Sequence, residues 1–175
     1  MERRAPTARS SPRDAWLRLD DEALLKQCRA ERYRASGPGG QRRNKVETAV
    51  RLHHGPSGLS AQAEESRSSQ ENGLRALRRL RERIAVELRA PFDLASPDLA
   101  PELLAQRGPA GTLSISRRNR AYPIVLATLL DALAAAEGSY AKAARPIGIT
   151  TSQLLRFLRA DPQAWRAAEQ LRRQR

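Results

Sequence analysis

The sequence contains a single cysteine, Cys28, and only two histidines. One cysteine forms no disulfide within the chain, and a zinc site built from a cysteine cluster is excluded as well. The histidines, His53 and His54, are adjacent, so on a strand their side chains point to opposite faces and do not share a metal ion. We therefore expect no metal site and no cofactor, and we interpret Cys28 as a small core residue.

Long apolar runs are also missing. The longest, around Ile124–Leu133, is too short to cross a bilayer, so we expect no membrane partner. The N-terminal stretch MERRAPTARSSPRD has no apolar core after its arginines, which argues against a secretory signal. We interpret residues 1–14 as a disordered basic arm, with an arginine-rich organellar leader as the less favoured alternative. A soluble, cytoplasmic protein of bacterial type is expected.

Lysine is scarce, but positive charge is not. Lysine and arginine together number 32 against 19 acidic residues, giving a net charge of +13 and an isoelectric point near 11.3. Such a balance exceeds what solubility requires and indicates a polyanionic partner, most often nucleic acid. The planar guanidinium of arginine suits phosphates and base stacking. A GC-rich genome also explains the preference for arginine over lysine, although it does not explain the net charge.

The pattern along the chain predicts an α+β fold. A length of 175 residues has room for one domain or two small ones. Asp20–Arg29 has the pattern of a short helix with acidic residues in its first turn, and Lys45–His53 that of a strand. The turn formers in His54–Gly58 and the following LSAQAE predict a returning strand, so we expect a hairpin.

A long helix follows this hairpin. Its apolar residues recur at helical spacing and predict a core-facing stripe: Leu74, Leu77, Leu80, Ile84 and Leu88. Arginines fall on the opposite side: Arg75, Arg78, Arg79, Arg83 and Arg89. This arginine face is either simply solvated or in contact with phosphate, and the overall charge favours phosphate.

The C-terminal half begins with a proline-rich stretch. Four prolines interrupt Ala90–Gly111, which predicts a linker or an irregular wrapping segment over residues 91–121. Beyond it, Pro123 opens a helix that turns Leu126, Leu129, Leu130 and Leu133 inward. Another helix is expected over Tyr140–Arg145, and Thr150 and Gln153 then have capping-box spacing. Asp161-Pro162 starts a last helix through Trp165 and Leu171. An all-α segment over 122–175 is therefore predicted.

The stretch RASGPGGQRRNK, Arg34–Lys45, contains the chemically unusual motif. Adjacent glycines allow backbone conformations closed to other residues and a close approach to another surface. A glutamine amide does not titrate, so it is no general base, but it can orient water, and its backbone N–H can stabilise an oxyanion. Such a tip needs a partner site that supplies the reactive ester and shields it from water.

The surrounding residues make the motif specific. The stretch RASGPGGQRRNKVETAVRLHHGPSGL, followed by RSSQENGLRAL, closely resembles the catalytic loop, hairpin and helix start of class I peptide-chain release factors and of short ribosome-rescue hydrolases. The resemblance extends from about Asp20 to Ile84. It implies a small Gly-Gly-Gln domain, residues 15–90, with an antiparallel sheet packed on a long helix. It also implies partners, the ribosome with its large-subunit RNA and peptidyl-tRNA, and an activity, hydrolysis of the peptidyl-tRNA ester.

Site residues are carried over from the resemblance position by position. Gly39 and Gly40 set the loop geometry, and Gln41 places the water and offers its amide to the developing charge. Residues implied to contact RNA, together with the arginines assigned to that role on the two helices, are Arg42, Arg43, Lys45, Arg67, Arg75, Arg78, Arg79, Arg156 and Arg159. Residues implied to support the loop are Ser36, Gly37, Asn44 and Asn72.

The chain departs from the family pattern in three respects. Ser69 stands where the factors usually carry glutamine, with Gln70 shifted by one position. Arg42-Arg43 replaces a smaller or less charged pair. The length leaves no room for a domain that reads stop codons, so the resemblance favours codon-independent release from stalled or damaged ribosomes.

The segment YAKAARPIGITTSQLLRFLR has helix-turn-helix spacing, with Gly148 at the turn. It is either a nucleic-acid reader, directed to ribosomal RNA, the mRNA channel or DNA, or a small bundle that packs on itself. A reader would expose Ser152, Gln153, Arg156 and Arg159. The alternative to the release hypothesis is therefore a non-catalytic nucleic-acid-binding protein that uses this segment.

Overall fold

The computed structural model describes residues 11–34 and 47–174, and the chain divides into two compact units. We call Leu19–Ile84 the sheet unit, and Met1–Arg18 with Ala85–Arg175 the helical unit. In sequence the sheet unit is thus an insertion in the helical unit. A small antiparallel sheet with helices, followed by further helices, confirms the predicted α+β class. The predicted domain limits at residues 15, 90 and 121 stay a prediction.

The sheet unit contains a three-stranded antiparallel sheet in the order β1-β2-β3. Its elements are α2 (Asp21–Lys26), β1 (Cys28–Tyr33), β2 (Ala49–His54), β3 (Ser60–Ala63) and α3 (Ser69–Glu87). Strand β2 lies between the other two, with Tyr33 opposite Ala49 and Val50 opposite Ala63. The predicted hairpin is confirmed as the β2–β3 pair.

Strand β1 was not expected from the sequence. The helix predicted over Asp20–Arg29 ends at Lys26, and the chain continues as a strand from Cys28. The side chains of β1 are mostly exposed, so it carries no apolar alternation that would mark a strand. It is specified by its pairing with β2 at the edge of the sheet. Cys28 at its start is only partly buried, not a core residue.

The predicted apolar stripe of α3 is confirmed at its centre and wrong at its start. Leu77, Leu80 and Ile84 are fully buried, but Leu74 is 53% exposed. The buried line begins instead with Asn72 and Ala76. Since Leu74 is two residues from each of these, it lies on the opposite side of the helix. Leu88, beyond the end of the helix, is half-buried.

Arginines of α3 cover the open edge of the sheet. Strand β3 pairs only with β2, so the backbone groups on its other side need partners. Arg79 donates from Nη1 to the carbonyl of Gln62 at 2.7 Å, and Arg83 donates to the carbonyl of Ser60. These two carbonyls are two residues apart and face the same way. Part of the predicted phosphate-binding face is therefore occupied by the protein's own backbone.

The helical unit is built around α5. Its elements are α1 (Pro12–Arg18), α4 (Pro101–Leu104), a 3₁₀ turn (Pro109–Gly111), α5 (Tyr122–Ala135), α6 (Tyr140–Ile147), α7 (Thr151–Arg159) and α8 (Pro162–Arg173). Helix α1 begins within the predicted basic arm. Helix α5 is buried on nearly all sides, not only along the predicted leucine face. It packs against α1, α4, α6 and α8.

The proline-rich stretch is partly packed. Ala100, Leu103 and Leu113 are buried, and Arg107 forms an isolated bridge with Leu113. Of the two expected descriptions, these contacts favour a wrapping segment. The predicted caps are confirmed, because Thr150 Oγ1 accepts from the backbone N–H of Gln153 at 3.1 Å and Asp161 Oδ1 accepts from that of Gln163 at 2.9 Å.

Asp131 on α5 is a buried charged residue with several partners in the helical unit. It is 2% exposed, and its two oxygens accept from Arg13 at 2.8 and 2.6 Å. The same carboxylate accepts from the backbone N–H of Ala90 at 3.0 Å and from Arg89 at 3.3 Å. Arg13 is also paired with Asp14 and donates to the carbonyl of Leu88. A buried charge is tolerated only with such compensation. Burial lowers the pKa of Arg89 to about 10.

The two histidines differ in their surroundings, as predicted from their adjacency. His53 is exposed, whereas His54 is fully buried between Ser57 Oγ at 2.7 Å from Nδ1 and Gln27 Oε1 at 2.9 Å from Nε2. The amide oxygen of Gln27 only accepts, so Nε2 carries the proton and Nδ1 accepts from Ser57. Burial lowers the pKa of His54 below its ordinary value of 6.5.

None of the helices in the described ranges is long and apolar enough to cross a bilayer.

We expect the stability of the sheet unit to fall as the pH drops below about 6.5, because unfolded His54 then binds a proton that the folded state disfavours. The loss is complete once the pH is below the lowered folded pKa. Chemical unfolding measured between about pH 7 and about pH 5 checks this dependence. His54→Gln should flatten it and His53→Gln should not; an unchanged slope in His54→Gln would contradict the assignment.

Two glycines with nearly equal φ offer a matched test of packing in the helical unit. Gly138 has φ +75°, and a Cβ there would lie 2.5 Å from the Cα of Arg172; Gly148 has φ +74°, and the three atoms nearest to its Cβ would belong to the flexible side chain of Arg107. Both changes to alanine carry the strain of a positive φ, about 1–3 kcal/mol. Only Gly138→Ala also clashes with backbone. We expect Gly138→Ala to lower the free energy of urea unfolding clearly more than Gly148→Ala, and equal losses would refute this.

Candidate active site at the loop between β1 and β2

The Gly-Gly-Gln motif falls between strands β1 and β2. The structure describes the chain up to Arg34 and again from Glu47, so it describes both ends of this connection. The predicted site residues that lie outside the described residues are Ser36, Gly37, Gly39, Gly40, Gln41, Arg42, Arg43, Asn44 and Lys45. The roles given to them stay predictions.

The two ends of the connection are held close together. Tyr33 and Ala49 form the last pair of the β1–β2 ladder, and Arg34 Nε lies 3.5 Å from Glu47 Oε1. This ion pair is exposed and contributes less than about 1 kcal/mol. The strand pairing therefore sets the position of the loop base. Sequence reasoning missed this feature because β1 has no apolar pattern.

Tyr33 is fixed from two sides. The Arg51 guanidinium lies 5.1 Å from the centre of its ring, and the Tyr33 hydroxyl donates to Glu64 Oε2 at 3.2 Å. Partial burial, and next the charge of Glu64, raise the pKa of Tyr33 above its ordinary value. The hydroxyl thus stays protonated and keeps donating to Glu64.

Asn72 ties the loop base to α3. Its side chain is fully buried and has three hydrogen bonds to backbone. Nδ2 donates to the carbonyl of Thr48 at 2.7 Å and to that of Ser66 at 2.8 Å, while Oδ1 accepts from the N–H of Ser66 at 2.9 Å. Thr48 is two residues after the undescribed part of the loop. Because Asn72 is inaccessible, its position fits bracing and not direct contact with RNA.

Short polar side chains organise the start of α3 as well. Ser66 Oγ donates to Glu71, and Ser68 Oγ accepts from the N–H of Glu71 at 3.3 Å. The hydrogen bond from Ser66, and next that from Arg75, hold the pKa of Glu71 below its usual range. Gln70, which the sequence places one position away from the family's glutamine, is exposed.

The arginines assigned to RNA contact fall into two groups in the sheet unit. Arg75 is paired with Glu71 at 2.6 Å, and Arg79 with Glu65. Arg67 and Arg78 are exposed, and neither forms an ion pair or hydrogen bond with any residue between 47 and 174 or between 11 and 34. Their charges are therefore the ones most available to a phosphate.

The arginines of α7 are exposed and have local contacts. Arg156 donates to Gln153 Oε1 at 2.5 Å, and the Arg159 guanidinium lies 4.9 Å from the ring centre of Trp165. Helices α6 and α7 are joined by residues 148–150, with Gly148 in the left-handed conformation. This is the helix–turn–helix connection that the sequence predicts, and it belongs to a bundle in which α6, α7 and α8 also contact one another.

Within the described ranges, no three His, Cys, Asp or Glu side chains are placed so that they could hold a metal ion. In these ranges the site consists of the paired strand ends at the base of the loop, the buried Asn72 amide and the exposed side chains of Arg67 and Arg78.

A comparison with known proteins identifies the family of the chain. Residues 22–124 match the RF-1 domain. The chain belongs to this family.

Curated proteins named peptide chain release factor 1 are similar to part of the chain. Peptide chain release factor 1 of Rickettsia rickettsii is 37% identical over 106 residues, which are 61% of this chain and 27% of that protein. The release factor 1 of Streptococcus agalactiae is 47% identical over 67 residues, covering 38% of this chain and 19% of the relative. That of Lacticaseibacillus casei is 48% identical over 59 residues, or 34% and 16%. The chain thus spans about a quarter or less of these relatives.

The resemblance to class I release factors is thereby confirmed. The RF-1 domain match begins in α2, includes the sheet unit from residue 22 onward and the proline-rich stretch, and ends in the first turn of α5. Helices α6, α7 and α8 lie outside it. Two of the predicted contact residues, Arg156 and Arg159, are therefore on a segment to which the match adds nothing.

A test of the brace is Asn72→Asp. The carboxylate keeps the size of the side chain but places an oxygen against the carbonyls of Thr48 and Ser66, where Nδ2 now donates. We expect a loss of about 3 kcal/mol in the free energy of unfolding. Faster amide hydrogen exchange is expected at residues 47–49. Gln70→Glu, the same chemical change at an exposed neighbouring position, is the control, and similar exchange in both variants would argue against the brace.

Proposed function

We propose that this chain promotes hydrolysis of the ester between a nascent peptide and tRNA, with its Gly-Gly-Gln loop inserted into the peptidyl-transferase centre of the ribosome. The observation that carries the proposal is the place of the motif. It lies between two paired strands of a domain that belongs to the RF-1 family, next to a brace that fixes the end of the loop. The relatives' name, peptide chain release factor, agrees with this activity.

The division of labour follows from the residue types. Water attacks the ester carbonyl, the peptide leaves as an acid, and the tRNA regains its hydroxyl group. Gln41 has no titratable group, so it orients the water, and its backbone N–H donates to the oxyanion. Gly39 and Gly40 let the backbone approach the ester closely. The ribosome supplies the ester, the shape of the site and the exclusion of bulk water.

Binding to the ribosome would rest on arginine. Arg42, Arg43 and Lys45 lie in or beside the loop and would contact ribosomal RNA or the tRNA acceptor end. On α3 and just before it, Arg67 and Arg78 are exposed and have no ion-pair partner within residues 11–34 and 47–174, whereas phosphates at Arg75 and Arg79 would compete with Glu71 and Glu65. We therefore assign Arg67 and Arg78 the larger contributions among these four.

The release would be independent of the codon and would serve stalled or damaged ribosomes in the cytoplasm. The similarity to release factors covers at most 27% of the relatives aligned above, so most of each relative has no counterpart in it. The described residues that follow the matched range form the rest of α5 and the helices α6, α7 and α8. In this proposal the matched RF-1 domain promotes hydrolysis, and no recognition of a stop codon is assigned to it.

A second candidate is a non-catalytic nucleic-acid-binding protein. The left-handed Gly148 between α6 and α7 and the exposed side chains of Ser152, Arg156 and Arg159 favour it. Deleting residues 122–175 would not separate the candidates cleanly, because α5 packs against α1 and α4 within one unit. Substitutions on α7 test binding without opening that core.

The decisive comparison is between two changes at Gln41. Gln41→Pro removes the backbone donor and should abolish peptide release, whereas Gln41→Ala keeps the donor and should retain partial release. Losing one oxyanion donor lowers a rate by about 10²–10³-fold. Gly40→Val should also be inactive, since a β-branched residue restricts the loop backbone. The measurement is release of labelled peptide from purified ribosomes stalled without a stop codon.

Ribosome binding by sedimentation controls for docking and should be similar in all three variants. Equal loss of release in Gln41→Ala and Gln41→Pro would remove the role given to the backbone amide. Absence of release by the unaltered chain, with ribosome binding present on both intact and damaged ribosomes, would reject hydrolysis. Specific nucleic-acid binding that disappears in Arg156→Gln would then support the second candidate.

A further inference from the structure

A cleft of about 430 Å³ opens between α6, α7 and α8 of the helical unit. Its walls include Tyr140 at the start of α6, Arg159 at the end of α7, and Trp165, Glu169 and Arg172 on α8. The volume lies within the range of pockets that hold small organic groups. The cleft is outside the region matched by the RF-1 domain and has no part in the proposed hydrolysis.

The aromatic side chains of the cleft are arranged for stacking. The rings of Tyr140 and Trp165 are nearly parallel, at an interplanar angle of 9° with centroids 6.3 Å apart. The Tyr140 hydroxyl donates to Glu169 Oε1 at 2.9 Å, which fixes its ring. Both residues are only partly buried, so they present ring surface to the cleft. Planar aromatic ligands, including nucleic-acid bases, bind to such faces.

The charges of the cleft favour an anion beside the stacked ring. Arg159 lies 4.9 Å from the Trp165 ring centre and forms no ion pair with a carboxylate in the described parts of the chain. Arg172 Nη1 is 3.7 Å from Glu169 Oε1, which is a long contact, and its side chain is 60% exposed. Glu169 is held by Tyr140 and Arg172, so the two arginines leave a net positive cleft.

Aromatic faces flanked by arginines match a base with its phosphate. An acidic peptide would use the arginines but leave the ring surface unoccupied. A base inside a double helix is stacked and paired, so it enters such a cleft only after it is unpaired. We propose that the cleft formed by Tyr140, Trp165, Arg159 and Arg172 binds an unpaired nucleotide of a single-stranded nucleic acid. The base stacks at Trp165, and the adjoining phosphates contact Arg159 and Arg172.

The experiment uses the full chain with Trp16→Phe, which leaves Trp165 as the remaining tryptophan. Short single-stranded RNA, the corresponding DNA, the matched duplex, a mononucleotide and an acidic peptide are titrated. Quenching of tryptophan fluorescence reports contact at Trp165, and anisotropy of a labelled strand reports binding in total. We expect the single strands to quench, with weaker binding of the duplex and of the mononucleotide.

Substitutions separate stacking from general attraction. Stacking on an aromatic residue contributes enough that Trp165→Leu should weaken single-strand binding about tenfold, whereas Trp165→Phe should retain most of it. Arg159→Gln and Arg172→Gln should each weaken binding about fivefold. Arg166→Gln is the matched control, because Arg166 is an exposed residue of α8 that does not line the cleft. We expect its effect to be less than about twofold.

Several outcomes would overturn the proposal. Binding by anisotropy with unchanged Trp165 fluorescence would place the strand elsewhere. An equal effect of Arg166→Gln and Arg159→Gln would reduce the binding to overall charge. Tighter binding of the mononucleotide, the duplex or the acidic peptide would identify another occupant. If the far-UV circular dichroism spectrum of Trp165→Leu shows that this variant does not fold, the fluorescence titration and the three arginine variants still test the proposal.

Discussion

A buried amide tolerates few unpaired hydrogen-bonding atoms, and the site depends on how Asn72 meets this constraint. Both N–H groups of its side chain donate to backbone carbonyls, and its oxygen accepts a backbone N–H. These partners are Thr48, at the end of the loop next to β2, and Ser66, in the turn before α3. Satisfying the amide therefore requires both segments to be in place at once. In the proposed function the tip of the Gly-Gly-Gln loop acts through its position, so a fixed base matters more to it than reactive side chains.

The arginines of the chain also have distinct structural roles. A net charge of +13 invites the view that the arginines form one large phosphate-binding surface. The contacts divide them instead. Arg79 and Arg83 each donate to a backbone carbonyl of β3, Arg13 is buried against Asp131, and Arg75 is paired on its own helix. Specific binding would then rest on fewer side chains, such as Arg67 and Arg78, which form no ion pair or hydrogen bond with the residues that the structure describes.

How much of this structure can be predicted from the sequence depends on the kind of sequence signal. Periodicity and caps act locally, so the β2–β3 hairpin, the core of α3 and the caps at Thr150 and Asp161 were predictable. Strand β1 was not, because an exposed edge strand is specified by its neighbour and not by its own pattern. Family motifs pointed to Asn72, but the exposure of Leu74 and the burial of α5 on all sides depend on packing that no window of sequence contains.

The aromatic cleft escaped prediction for a related reason. Tyr140, Arg159 and Trp165 belong to three different helices, so the periodicity of no single helix brings them together. Gly138 allows their approach, since its positive φ and missing side chain let the chain pass against the backbone of Arg172.

The helical unit is formed by two separate stretches of the chain, and Asp131 holds them together. The helical unit contains chain from before residue 19 and after residue 84, so these two stretches have to find each other during folding. Arg13 from the first stretch and Arg89 and Ala90 from the second converge on one carboxylate of α5. An uncompensated carboxylate at 2% exposure would be strongly unfavourable, so α5 is fully stable only when both stretches are docked. The burial cost thus couples the two stretches of chain that make up the helical unit.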